Sequence, residues 1–205
     1  RLLVFDGTGT FVRYISRPGS GPCEFQQLWW AAPYGTDSVA VFDFAHESVM
    51  VLGLDGGCGR STRLPHGQLT TEQMRAGGFS AEAHGIFADG SMLVAPRGFA
   101  DAAAPGATTW LRQHLLRIRA LDPAVDTIGV FPRMQAEWNG RFARPLMYGR
   151  TSVVAPDGAD VLFGDGDGFT FRRIGGDGRV TQLVRRTFSA EPVTDRHRQS
   201  MLQGM

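Results

Sequence analysis

The stretch SVAVFDFAHESVMVLGLDGGCGRSTRL, residues 38–64, contains three short runs of strand-forming residues joined by two tight turns. Residues 38–44 are rich in β-branched and aromatic side chains and contain Asp43 near their end. Residues 49–54 form a second apolar run, closed by the turn Asp55-Gly56-Gly57, and residues 60–64 alternate in the manner of an edge strand. The stretch therefore predicts three consecutive antiparallel strands.

The same unit, an apolar strand followed by an Asp or Gly turn and a shorter strand, recurs along the chain. Taking Asp6, Asp55, Asp122 and Asp177 as equivalent turn positions, the spacing is roughly 50 to 70 residues, somewhat above that of propeller blades. Two further strand candidates precede each later unit, at residues 28–32 and 39–44, 83–87 and 91–95, and 152–155 and 160–164. Four strands joined as a meander make one blade. The sequence therefore predicts an all-β chain, a β-propeller of about three and a half blades.

The whole chain, residues 1–205, is predicted to be part of one propeller domain. Its predicted parts are the outer half of a blade at 1–16, complete blades at 25–64, 79–132 and 143–187, and the start of the next connection at 188–205. Residues 97–113 are predicted to be a surface loop and residues 132–148 a packed connector. Because the chain opens inside a strand, we expect it to be an internal piece of a longer protein whose targeting segment lies upstream.

Composition limits the classes of partner. The net charge of +1 creates no field that would recruit nucleic acid, so no nucleic-acid partner is expected. No apolar run approaches the length of a transmembrane segment. Other protein subunits are the expected partners, and any membrane association is expected to be peripheral, through a larger complex.

Three segments resemble a known family. GSGPCEFQQL at residues 19–28, a blade ending in VLGLDGG at 51–57, and the segment from Val153 to the terminal PVT at 192–194 are similar to the bacterial six-bladed β-propeller proteins related to NHL repeats. The resemblance implies six blades and a periplasmic or otherwise extracytoplasmic location. Cys23 stands where the family usually has Gly, so the backbone there is expected to be altered or strained. Ser48 stands where NHL blades commonly place Arg, which disfavours RNA binding.

A meander brings the connections after its second and fourth strands to one side of the molecule, where loops around a propeller channel usually form the site. The residues that we predict as an interaction surface on that side are Cys23, Glu24, Glu47, Arg97, Asp165 and Asp167.

Asp43 and His46 form the most suggestive cluster of this surface and have two interpretations. With ligands from other blades they could hold a divalent cation such as calcium at the channel mouth. Alternatively, Asp43 accepts hydrogen bonds from the turn that it opens, and His46 lies in solvent, so that no cofactor is bound. The turn interpretation is favoured.

Cys23 and Cys58 are the only cysteines. The meander places them on opposite faces, beyond the roughly 7 Å Cα separation that a disulfide tolerates, which predicts two free thiols. The adjacent Trp29 and Trp30 are predicted to point to opposite faces of a strand, one between blades and the other toward the channel or an interface.

Two functions are compatible with these features. The first is a non-catalytic binding or scaffolding module, an extrinsic subunit of a larger protein assembly. The alternative is a metal-dependent propeller enzyme of the lyase, hydrolase or lactonase type, with its site at the channel mouth.

Overall fold

A computed structural model describes residues 1–64, 81–96, 99–100, 104–119, 125–166, 168–187, 189 and 192–203. The strands are β1 (Leu2–Phe5), β2 (Phe11–Ser16), β3 (Leu28–Tyr34), β4 (Ser38–Asp43), β5 (Ser48–Gly53), β6 (Cys58–Arg63), β7 (Ala81–Ile86), β8 (Met92–Pro96), β9 (Phe99–Ala100), β10 (Thr108–Ile118), β11 (Val125–Trp138), β12 (Ala143–Pro145), β13 (Val153–Asp157), β14 (Asp160–Gly164), β15 (Phe169–Ile174) and β16 (Val180–Arg186). Within the described part of the chain, the strands are followed by one helix, α1 (Asp195–Gln203).

The strands form four antiparallel sheets, which we number in chain order. Sheet 1 is β1–β2, sheet 2 is β3-β4-β5-β6, and sheet 4 is β13-β14-β15-β16. Sheet 3 has the order β12-β11-β10-β8-β7, with β9 paired to β10. Sheets 2 and 4 are thus four-stranded meanders, and the prediction of an all-β chain is confirmed.

Side chains of Asp residues close several of the turns between strands. Asp6, Asp55 and Asp177 each accept the backbone N–H of the residue two positions later, at 2.9, 2.7 and 3.0 Å. This bond is the reason that Asp favours tight turns, because the carboxylate replaces a backbone acceptor. The recurring Asp positions in the sequence therefore mark real turns; Asp122 lies outside the described residues.

The sheets pack face to face in chain order, with one hydrophobic cluster at each junction. Ile15 of sheet 1 belongs to the cluster that contains Leu52 of sheet 2. The opposite face of sheet 2 contributes Phe42 to a cluster shared with sheet 3. Leu115 of sheet 3 lies in a third cluster with Phe163 of sheet 4. Alternation along each strand thus buries both faces of the two inner sheets.

Sheet 3 extends beyond the predicted blade 79–132. Residues 108–113, predicted as loop, belong to β10, and β11 continues through the predicted connector as far as Trp138. β12 pairs with β11, so the segment 143–145 belongs to sheet 3 and not to the predicted blade 143–187. A break in register between Leu111 and Arg112 accommodates Pro132, which lacks the N–H that a regular ladder requires.

Helix α1 occupies much of the segment 188–205, for which only a connection was predicted. Its start is favoured by Thr194, whose hydroxyl accepts the N–H of His197 at 3.4 Å, and by the negative charge of Asp195 in the first turn. In the described part of the chain, no helix is long and apolar enough to cross a membrane.

Candidate functional site

Asp43 lies at the end of β4 with its side chain fully buried. Its Oδ1 accepts the N–H groups of Gln27 at 2.9 Å and Ala45 at 3.1 Å. Its Oδ2 accepts the N–H of Gln26 at 3.0 Å and contacts His46 Nδ1 at 2.5 Å. The carboxylate therefore fastens the segment before β3 to the turn between β4 and β5.

The charge of this carboxylate is stabilised by its hydrogen bonds. Burial by itself raises the pKa of Asp43, but the N–H groups of Gln26 and Gln27 and the imidazole of His46 outweigh that effect and hold the pKa below its usual value. A divalent cation at Asp43 would have to displace these donors. Among the residues that the structure describes, no group of three or more His, Cys, Asp or Glu side chains could hold a metal.

The remaining residues of the predicted surface are engaged in their own elements. Glu24 accepts Gly21 N–H at 2.8 Å and Arg17 Nε at 2.6 Å, which together hold its pKa below the usual value. Glu47 adopts a left-handed backbone conformation, with φ of 48°, and its carbonyl accepts Leu64 N–H at 2.9 Å. Asp165 pairs with Arg172 of the same sheet at 2.7 Å. Arg97 and Asp167 lie outside the described residues.

The prediction of two free thiols is wrong, because Cys23 and Cys58 form a disulfide with a Cα–Cα distance of 5.6 Å. The prediction assigned Cys23 to the entry of an inner strand. Instead, the segment 17–27 folds back on itself, with Gly19 N–H donating to the carbonyl of Phe25 at 3.0 Å. Cys23 consequently lies beside Ser16, whose hydroxyl donates to its carbonyl, and packs against the face of sheet 2 that also carries Leu52.

A cavity of about 280 Å³, here called the inner-strand cavity, lies where sheets 2, 3 and 4 meet. Its lining residues are Trp29, Glu82, His84, Gln113, Arg133, Met134, Thr151, Ser152, Val153 and Val154. Glu82 and His84 alternate along β7, and Arg133 Nη2 bridges both oxygens of Glu82 at 3.1 and 3.2 Å. No residue of this set is among the predicted site residues. The sequence signal was the pair of polar residues at alternate positions of the run AEAHGI, residues 81–86.

The two adjacent tryptophans have the predicted opposite orientations. Trp30 packs into the cluster between sheets 2 and 3, and its indole N–H donates to the carbonyl of Ala83. Trp29 is 55% exposed, lies 5.4 Å from the ring of Phe44, and lines the inner-strand cavity.

Burial also affects the histidine of this cavity. It lowers the pKa of the His84 imidazole, and the nearby Glu82 carboxylate offsets this effect only in part. In its neutral form an imidazole carries a single N–H, so one ring nitrogen donates a hydrogen bond and the other accepts one.

No family model and no curated protein matches the chain. Among solved structures, the chain is similar to a "Putative exported protein" from Bacteroides fragilis NCTC 9343, with 19% sequence identity and a TM-score of 0.49. The similarity covers 98% of this chain and 50% of the other, so the chain spans about half the length of that protein. The fold is that of an all-β protein whose antiparallel sheets pack face to face in chain order.

Proposed function

We propose that this chain is a non-catalytic binding module, which joins other protein subunits through the outward faces of sheets 1 and 4. The observation that carries the proposal is the aromatic face of sheet 1. Leu3, Phe5, Phe11 and Tyr14 are each between 44% and 54% exposed, and the register pairs Leu3 with Tyr14 and Phe5 with Phe11. An apolar sheet face of this kind favours a covered surface over a solvated one.

The rings on sheet 1 form a continuous surface. The centroids of Phe5 and Phe11 are 6.0 Å apart, and those of Phe11 and Tyr14 are 4.9 Å apart. Leu2 and Val4, at the alternate positions, pack toward sheet 2. The outward aromatic side chains are therefore additional to those that hold the hairpin in place.

Sheet 4 has a similar row on the face turned away from sheet 3. The register places Val153, Gly164, Phe171 and Val184 side by side across its four strands. Val153, Phe171 and Val184 are 58%, 37% and 52% exposed. A partner sheet could pack on either face at the roughly 10 Å spacing that is usual between sheets.

The proposal also covers the architecture of the protein and the cellular compartment in which it lies. We infer that sheets 2, 3 and 4 are consecutive blades of a six-bladed β-propeller similar to NHL-repeat proteins, an inference supported by the meander order and the face-to-face packing. An extracytoplasmic location is supported by the disulfide, since such crosslinks persist in oxidising compartments.

Site-specific photocrosslinking in the cells that produce the protein tests the proposal. We expect p-benzoylphenylalanine at Phe11 and at Phe169, which is 48% exposed on sheet 4, to crosslink to a discrete second protein. Phe142 is the matched control, because it is 56% exposed in the turn between β11 and β12 and lies on neither face. Equal labelling at all three positions, or none at Phe11 and Phe169, would contradict the proposal. A crosslink between two copies of this chain would show that these faces join identical subunits.

A further inference from the structure

Two residues that line the inner-strand cavity, His84 and Gln113, each have a buried side-chain atom, Nε2 and Oε1 respectively, with no hydrogen-bond partner among the described residues. Gln113 is only 2% exposed, yet it lines the cavity. Buried polar atoms without a partner are destabilising and uncommon in folded proteins. Their position therefore points to a molecule that supplies hydrogen-bonding groups inside the cavity.

The charges in the cavity favour a neutral molecule. Glu82 and Arg133 are 15% and 20% exposed and neutralise each other through their ion pair. Burial disfavours the charged form of His84 and so lowers the pKa of its imidazole. A carboxylate or phosphate that approached Arg133 would also approach the carboxylate of Glu82, whereas a hydroxyl can donate to Glu82 and accept from Arg133.

One part of the wall is aromatic. Trp29 is more than half exposed and rests on Phe44, so its ring is held in place while part of its surface stays accessible. Val153 and Val154 add aliphatic surface. A ligand that fits this wall needs an apolar face of C–H groups beside its polar groups.

We propose that the inner-strand cavity binds a small neutral saccharide, of the size of one or two sugar rings. Its hydroxyl groups would donate to Gln113 Oε1 and bond His84 Nε2 after these two side chains turn toward the cavity, and further hydroxyls would bridge the Glu82–Arg133 pair. The C–H face of the ring would lie against Trp29. Of the residues that line this site, only Val153 also belongs to the outward row of sheet 4, and none of the polar side chains that would bond the sugar does, so the proposal stands independently of the protein-binding role.

Binding of D-glucose, D-galactose, D-mannose and N-acetyl-D-glucosamine, measured by saturation-transfer NMR and calorimetry, tests the proposal. We expect at least one of these sugars to bind saturably with a dissociation constant in the millimolar range or below. Gln113→Leu removes the buried acceptor and is expected to weaken that binding by about tenfold or more. Gln182→Leu is the matched control, because it makes the same change on the exposed strand β16 and should leave the affinity unchanged.

A second variant guards against misfolding of Gln113→Leu. Trp29→Ala changes an exposed side chain and should weaken binding at least several-fold while the circular dichroism spectrum is retained. The proposal is overturned if no sugar of the panel binds saturably to the folded protein. It is also overturned if both variants bind as well as the wild type, or if acetate or inorganic phosphate binds more tightly than every sugar.

Discussion

Cys23 combines two unusual properties, a covalent crosslink and a left-handed backbone. Its φ of 59° is one that side chains with a Cβ adopt only at a cost, and the sequence has Cys at a position where Gly would be at ease. The crosslink to Cys58 offsets this cost, because it closes a loop with a sequence separation of 35. A single residue thus contributes opposing effects to the free energy of unfolding.

A matched pair of double variants separates these effects. Cys23→Ala with Cys58→Ala should lower the free energy of unfolding by roughly 3 to 4 kcal/mol, through the loop that the disulfide no longer closes. Cys23→Gly with Cys58→Ala should lose about 0.5 to 1 kcal/mol less, because Gly relieves the backbone strain by more than it adds chain entropy. Urea unfolding under identical conditions measures both. A Gly variant less stable than the Ala variant would contradict this account of Cys23.

At the scale of elements, the turn between β4 and β5 is joined to the segment before β3 by one buried carboxylate. Asp43 accepts backbone N–H groups from both, so neither element can move away without leaving a buried donor unpaired. The bond from Ala45 N–H is the one that the turn interpretation expected, but two further donors lie sixteen and seventeen residues earlier in the chain. His46, which that interpretation placed in solvent, instead contacts the carboxylate and is 31% exposed.

Replacing this carboxylate should make stability less dependent on pH. At neutral pH, Asp43→Asn should cost roughly 2 to 4 kcal/mol, from charged hydrogen bonds lost and donors left unpaired. The folded-state pKa lies below the unfolded value of about 3.9, so the stabilisation is complete above that pH and is lost as pH falls through the lower folded-state pKa. Urea unfolding at pH 7, 4 and 3 should show the gap between wild type and variant narrowing. A gap that stays constant, or one that appears only with added calcium, would argue against the hydrogen-bonding role.

Sequence patterns predicted the short strands well and the long ones poorly. In residues 38–64, alternation and Asp turns act locally, and three strands form almost where the pattern places them. The β10–β11 hairpin was missed in part because Pro132 and the polar Arg112 and Gln113 resemble loop residues, although a bulge and a cavity accommodate them. The disulfide and the inner-strand cavity depend on how a loop folds back and how three sheets meet, which no local pattern specifies.

For the whole molecule, burial is greatest in the middle of the row of sheets. All five residues of β8 are buried, with Met92 and Val94 in the cluster shared with sheet 2 and Leu93 and Ala95 in the cluster shared with sheet 4. Every residue of β16 is exposed, and this strand is the edge of sheet 4. Local opening of the edge strand β16 therefore exposes little additional apolar surface, whereas opening of β8 disrupts the hydrophobic clusters on both sides of sheet 3.

Hydrogen exchange followed by mass spectrometry should show this gradient. Peptides that contain β8 are expected to exchange only through global unfolding, and peptides that contain β16 should exchange orders of magnitude faster, through local opening. Low concentrations of urea should accelerate exchange in β8 strongly and in β16 weakly. Similar protection in the two strands would show that the sheets unfold as one unit.

Because the main contacts between sheets join neighbours in sequence, a chain that emerges with its N-terminus first can complete each layer before the next one is made. Few distant segments have to find each other, which lowers the entropy lost at each step. The crosslink requires only the residues up to Cys58, so it can join the segment before β3 to sheet 2 before sheets 3 and 4 have formed. The topology therefore allows the sheets to assemble in the order in which they are synthesised.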